Sequence, residues 1–483
     1  MRNTCYNKYR NLPVQAKASF WFLVCSFLQK GISILTTPVF TRLLSTGEYG
    51  QYNVFSSWMG IITIFVTLNL YAGVYTQGLV KFDKERKVFS SSLQGLTTIM
   101  VMGWTAVYLV FREFWNTLFS LSTVQMLAML VMIWSSTAFS FWAASQRVQY
   151  RYKALVIITL IVSFAKPVIS IVFILLATDK VTARILALVL TELIGYSGFY
   201  IIQMKSGKKF ISKKFWKYAV LYNLPLIPHY LSQTVLNSAD RIMIKDMVGS
   251  VEAGIYSLAY SVSTIMSLFN SALMQTLSPW IYQKIRNREI KAMASIAYLS
   301  LGIIATVNLI LIVLAPEVIA VFAPYEYHEA IWVIPPVAMS VYFMYSYDLF
   351  AKFAFYYEKT NFIMIASVCG AVFNVLLNYL FIKQFGYMAA GYTTLACYII
   401  YAVGHYFFMN KVCNQFCDGE HPYNSKIIIG MTSVFCILGF VFSITYKFVL
   451  LRYAIVFVIL LIIFLRRDDV KRICMELQAF KSK

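Results

Sequence analysis

Apolar runs of about 20 residues recur along the chain, separated by short polar or charged stretches, and each is long enough to cross a bilayer as a helix. The pattern predicts fourteen spans, at 18–44, 49–79, 90–110, 121–145, 155–177, 182–204, 218–241, 253–281, 291–315, 331–357, 361–382, 387–410, 425–446 and 450–465. The first run does not read as a cleavable leader. It is too long, contains Lys30, and is followed by Tyr49 and not by a small-residue cleavage site. The loops on one side are all short, the longest near 316–330, so no domain is expected outside the membrane on that side.

Composition strengthens this reading. Of 483 residues, 60% are hydrophobic and 13% charged, and the mean hydropathy is +0.68. Soluble globular chains carry about 45–50% apolar and about 25% charged residues, so a soluble enzyme is excluded. The formal charge is +22, from 42 Lys and Arg against 20 Asp and Glu. On a soluble chain that excess would point to nucleic acid. Here the basic residues favour one set of alternate loops and tails by roughly three to one, a positive-inside asymmetry. It predicts a multi-pass membrane protein with both termini in the cytoplasm, and no nucleic-acid partner. The stretch 205–217 holds six lysines and reads as a basic linker, either as topology charge alone or as a contact for anionic membrane lipids. None of the eight cysteines falls in an outer loop, so no disulfide is expected. Cys413, Cys417 and His421 are spaced four apart but lack a fourth ligand, so neither metal nor cofactor is predicted.

An internal repeat divides the chain. Thr41-Arg42-Leu43-Leu44 followed by Glu48-Tyr49-Gly50-Gln51-Tyr52 has a counterpart in Asp240-Arg241-Ile242-Met243 followed by Glu252-Ala253-Gly254-Ile255-Tyr256. Each block ends an odd-numbered span and begins the next with Glu-x-Gly-x-Tyr. A weaker echo pairs Lys166 and Ser170 with Asn374 and Asn378. Repeats of six spans must be parallel, like the halves of several transporters. The expected class is therefore an all-α polytopic membrane protein, with two six-helix lobes around a central cavity and two appended helices. Its parts are an N-terminal lobe at 1–204, the linker at 205–217, a C-terminal lobe at 218–410, and the appended spans with a basic cytoplasmic tail at 411–483.

At these residues the sequence resembles the polysaccharide-biosynthesis flippases, the O-antigen and lipid-linked oligosaccharide translocases of the multidrug/oligosaccharidyl-lipid/polysaccharide exporter superfamily. The resemblance rests on Thr41-Arg42-Leu43-Leu44-Ser45 with Glu48-Tyr49-Gly50, Asn237-Ser238-Ala239-Asp240-Arg241, Gly254-Ile255-Tyr256-Ser257, and Asn374 and Asn378 with Gly386 and Ala390-Gly391. It covers spans one to twelve. It implies alternating-access movement of an undecaprenyl-diphosphate-linked oligosaccharide, such as an O-antigen repeat unit of lipopolysaccharide, from the cytoplasmic to the periplasmic leaflet. A polysaccharide polymerase and a chain-length regulator are the partners that go with that role.

Such a head group needs a polar path across about 30 Å of hydrocarbon, and intramembrane charges usually face such a path. Span one carries Lys30, Ser33, Thr37 and Thr41 on one helical face, ending at Arg42. Span seven carries His229, Gln233, Asn237 and Asp240 on the same spacing, with Arg241 beside them. Either these stripes line a cavity or they bond helix to helix in a solid core. Pro38, Pro225 and Pro228 should bend the same two spans. Lys166 and Glu192 sit at similar depth on antiparallel neighbouring spans and are expected to pair. Asp348 and Lys352 can pair along one helix, in a stripe with Tyr345. The candidate substrate-binding set is thus Lys30, Arg42, Lys166, His229, Asn237, Asp240, Arg241, Tyr345, Asp348 and Lys352. Glu192, Asp240 and His229 are the candidates for ion coupling.

Two other readings compete. A drug/cation antiporter of the same superfamily would need acidic residues in its cavity, whereas the intramembrane balance here is basic. A membrane glycan-assembly enzyme is the second. A polymerase normally needs a large outer loop, and no Asp stands five residues after His229, His328, His405 or His421, as an acyltransferase box requires. No catalytic residue is expected.

Overall fold

The computed structural model describes residues 13–465. Among these the secondary structure is helical, with no strand. Contacts divide the chain into two compact units, 1–254 and 255–483.

The first unit contains α1 (Val14–Leu43), α2 (Thr46–Thr67), α3 (Val74–Lys81), α4 (Arg86–Val110), α5 (Arg112–Phe119), α6 (Thr123–Val148), α7 (Tyr152–Leu176), α8 (Lys180–Gly207), α9 (Lys213–Asn223), α10 (Ile227–Met247) and the first turn of α11 (Ser250–Thr264). Local chemistry starts these helices where the apolar pattern does. Ser45 and Glu48 form a reciprocal capping box on α2, as do Ser122 and Gln125 on α6, each satisfying amides that a helix start leaves open. Asp179 accepts from the Thr182 amide at the start of α8. Helix α7 shows how the faces are assigned. Ile157, Ile161, Phe164, Val168, Val172 and Leu175 are exposed at helical spacing, while Leu155, Val156, Val162 and Ile174 on the other face are buried. An outward apolar stripe of this kind is what a lipid-facing helix requires.

The second unit continues with α12 (Ser267–Arg286), α13 (Ala294–Val313), α14 (Ala315–Phe322), α15 (Ile334–Tyr356), α16 (Thr360–Phe385), α17 (Ala389–Phe416), α18 (Ser425–Ile444) and α19 (Val449–Leu465). Its core is α15, buried along most of its length and packed on α13 and α17. The two last helices are tied to this unit. Tyr342 and Thr432 share a hydrogen bond of 3.0 Å, and the Tyr446 hydroxyl donates to the Ile312 carbonyl at 2.6 Å. Arg452, 1% exposed, pairs with Glu317, which also accepts from the Tyr453 hydroxyl at 2.9 Å.

Helices stand at all fourteen predicted positions. Among the described residues, eight are long and apolar enough to cross a membrane by that criterion alone, and a ninth is α15 taken with the 3-10 turn Tyr325–Trp332, bent by 48°. The other spans carry polar residues that lower their hydropathy, or are broken. Span two is not one helix: it ends at Thr67, turns through Leu68 and Asn69 with positive φ and through Gly73 at φ +28°, and resumes as α3. Span seven breaks at the 3-10 turn Leu224–Leu226, where Pro225 interrupts the helix. Span eight breaks between α11 and α12. The first two breaks meet. The fully buried Asn223 side chain donates to the Leu68 carbonyl at 2.7 Å and to the Asn69 carbonyl at 2.9 Å, serving backbone that hydrocarbon would leave unsatisfied.

Candidate substrate-binding site

The repeated Glu-x-Gly-x-Tyr block builds one end of the first unit. Glu48 caps its own helix. A Cβ on Gly50 would lie 2.0 Å from the Ser250 carbonyl oxygen, and one on Gly254 would lie 2.1 Å from that of Thr46. The two glycines therefore let the first turns of α2 and α11 touch backbone to backbone, each serving the other's approach. Tyr52 is used differently: its ring covers the Arg184 guanidinium, with the arginine Cζ 3.5 Å from the ring centre. Phe40, just before the Thr41-Arg42 block, covers the other face at 3.7 Å.

Arg184 opens onto a polar cavity of about 230 Å³ among α1, α7 and α8, lined also by Gln29, Ser33, Thr36, Ser163, Lys166 and Ser170. Gln29 donates to the Ser163 hydroxyl at 3.1 Å, joining α1 to α7 across one wall. Deeper along α8, Lys166 Nζ meets Glu192 Oε1 at 2.6 Å, so the expected pair is present. The Lys166 side chain is 29% exposed and that of Glu192 7%. Glu192 Oε2 has no hydrogen-bond partner among the described residues, nor has the buried hydroxyl of Ser170. Two cations against one carboxylate leave this lobe of polar space positive.

The other candidates of the first unit lie on α1 and α10. Lys30 is exposed, and Arg42 is exposed with Nη1 donating to the Pro38 carbonyl at 2.9 Å. On α10, which packs along α2, Asn237 donates to the Gln233 carbonyl at 2.7 Å and Arg241 to the Asn237 carbonyl at 3.1 Å. Arg241 also reaches the Ser57 hydroxyl at 3.5 Å. In the same stripe Asp240 is buried and His229 is half-buried beside Tyr230.

In the second unit, Lys352 Nζ pairs with Asp348 Oδ1 at 2.7 Å, one turn apart on α15, and Tyr345 on the same helix is buried. The echo of Lys166 and Ser170 is a buried amide network. Asn378 donates to Asn374 at 3.3 Å, and Thr393 donates to Asn378. Among the described residues no group of three or more His, Cys, Asp or Glu side chains is placed to hold a metal ion.

Sequence reasoning missed Arg184. It stands at the very start of span six next to Lys180, where it passes for orientation charge. The signal that would have found it is the pair of aromatic residues flanking the Thr41 block, Phe40 and Tyr52, whose rings sandwich it.

Comparison with known proteins agrees with this architecture. The family model described as Polysaccharide biosynthesis protein matches residues 16–284, and the MatE model matches residues 225–380. A protein of Haemophilus influenzae called Lsg locus putative protein 1 is 21% identical over 390 residues, covering 74% of this chain and 89% of its own. Among solved structures, the lipid II flippase MurJ in an inward closed conformation superposes with a TM-score of 0.73 at 12% identity, over 92% of this chain and 99% of its own. An inward-facing multidrug resistance transporter of the MATE family gives 0.60 at 13% identity, over 80% and 96%. The family match spans more than half of the sequence and includes the repeat block, the Arg184 cavity and the Lys166–Glu192 pair. The chain belongs to the polysaccharide biosynthesis protein family of the multidrug/oligosaccharidyl-lipid/polysaccharide exporter superfamily, and is a membrane transporter and not an enzyme.

Proposed function

We propose that the chain translocates an undecaprenyl-diphosphate-linked oligosaccharide repeat unit, of the O-antigen kind, from the cytoplasmic to the outer leaflet of the bacterial inner membrane, with both termini in the cytoplasm. The observation that carries this reading is the polar, net-positive cavity beside the Lys166–Glu192 pair within a chain of this family. A diphosphate is doubly anionic, and cations along its path offset the loss of its hydration. Lys30 and Lys166 are its mid-membrane contacts in this scheme. Arriving diphosphate competes with Glu192 for Lys166, so the pair opens when substrate binds. Arg42 and Arg241 receive it late in the cycle, and Asn237 and Asp240 on α10 and Tyr345, Asp348 and Lys352 on α15 are its further contacts in this scheme.

An inside-negative potential favours outward movement of a net anion by about 2.3 kcal/mol per charge per 100 mV. No further energy source is required, while Glu192, Asp240 and His229 are placed to bind and release a proton or sodium ion on the return step. A drug antiporter is the second reading, favoured by the MatE match over 225–380. It calls for net negative polar space, opposite to the balance around Lys166. The two separate in cells and vesicles. Lys30→Ala or Lys166→Ala should abolish glycan export while the protein still reaches the membrane, with arginine partly restoring it. Export by the double alanine variant at the wild-type rate, or gradient-driven uptake of organic cations by the wild type, would overturn the proposal.

A further inference from the structure

We propose that Arg184, together with Lys166 and Ser170, forms a dedicated site for the phosphoryl oxygens of the diphosphate, on the outer side of the Lys166–Glu192 pair. The inference rests on the flippase reading and adds to it a residue and a place.

Four observations carry it. The Arg184 guanidinium carbon lies over the rings of Phe40 and Tyr52, 3.7 and 3.5 Å from their centres. An arginine stacked on aromatic rings presents its N–H donors in the plane of the group, the fork that matches two phosphate oxygens. Arg184 and Lys166 line the same cavity. The Ser170 hydroxyl, 1% exposed, lines it too and has no hydrogen-bond partner among the described residues, a hydrogen-bonding capacity that a phosphoryl oxygen would satisfy. Finally, the cavity holds about 230 Å³, and its lining sets hydroxyl, amide and cationic groups among Ile32, Phe40, Pro167 and Leu188 with no carboxylate, a charge balance that favours a compact anion over an organic cation.

Depth gives the site its role. Arg184 lies one turn below the end of α8 that Asp179 caps, and Glu192 lies two turns further in, about 12 Å along the helix at 1.5 Å per residue. Lys166 and Arg184 line the same cavity, so a diphosphate leaving Lys166 passes to Arg184 within that lining. The stacking rings are supplied by α1 and α2, at the margins of the repeated block. That gives Tyr52, the last residue of Glu48-Tyr49-Gly50-Gln51-Tyr52, a reason to be aromatic.

The test is a binding measurement on the full chain in nanodiscs, with undecaprenyl diphosphate, undecaprenol and inorganic diphosphate as probes, read by native mass spectrometry. Arg184→Lys keeps the charge in the stack but loses the planar fork, and should weaken undecaprenyl diphosphate binding roughly tenfold while undecaprenol binding stays unchanged. Arg184→Gln should weaken it further. Ser170→Ala removes one hydroxyl from a small buried site and should weaken it about threefold; this variant decides the matter if an arginine variant fails to fold. Wild-type affinity in folded Arg184 variants, or in Ser170→Ala, would overturn the inference. Binding of inorganic diphosphate without the lipid form would overturn it too, by assigning the cavity to a soluble anion. If wild type binds none of the diphosphate probes, the flippase reading itself fails, which is a different result from wild-type binding that ignores Arg184.

Discussion

Lys166 and Glu192 form an ion pair inside the first unit, and their coupling can be measured. Removing one member of a buried pair strands the other, at a cost of about 3–5 kcal/mol. Lys166→Ala should therefore lower thermal stability clearly, and adding Glu192→Ala should restore most of it, because Glu192 is the more deeply buried partner. Equal melting temperatures in the single and double variants would mean that the pair does not hold the structure. Lys166 and Glu192 were legible in the sequence because charge inside an apolar run is conspicuous and helix depth can be counted. Arg184 was not, because a cation near a span end looks like any interfacial anchor, and its aromatic cover comes from residues more than 130 positions away. Gly50 was legible only as a motif. The structure gives the reason, and Gly50→Ala is expected to push the Ser250 backbone away and destabilise the protein by about 1–3 kcal/mol, the usual cost of overpacking. Unfolding monitored in detergent would check it, and an unchanged transition would contradict the close crossing.

At the scale of elements, apolar runs located a helix at every predicted position because hydrocarbon dictates their length and character directly. The breaks were harder. Thr67 to Val74 is free of proline, so the local pattern reads as continuous helix through the turn. What stabilises the break is Asn223, more than 150 residues away, whose amide serves the Leu68 and Asn69 carbonyls. Span seven, by contrast, announced its break through Pro225. Asn223→Leu should remove both hydrogen bonds and cost about 1–3 kcal/mol for each carbonyl left without a donor. The loss should appear as a lower melting temperature and faster amide exchange near Leu68–Gly73. Unchanged exchange there would show that other groups carry the turn. The appended helices follow the same logic: α18 and α19 are tied to the second unit by Tyr342, Tyr446 and Arg452, three polar groups inside apolar runs.

For the whole molecule, the central claim is movement of a diphosphate-headed glycolipid, assisted by membrane potential. The fold class was legible from composition, span pattern and repeat, since these depend on many residues at once, and the superfamily from the resemblance of the motifs around Arg42, Asp240 and Asn374. The substrate depends on a few side chains and must be tested by transport. The most direct measurement is translocation in proteoliposomes carrying a fluorescent undecaprenyl-diphosphate-linked oligosaccharide, with the leaflet of the head group read by a membrane-impermeant quencher. The account predicts that the wild type moves the head group across, that an imposed potential, negative on the donor side, raises the rate and the final asymmetry, and that Lys166→Ala abolishes both. Head groups that stay in the donor leaflet, or cross at one rate whatever the potential and whatever residue stands at 166, would contradict it.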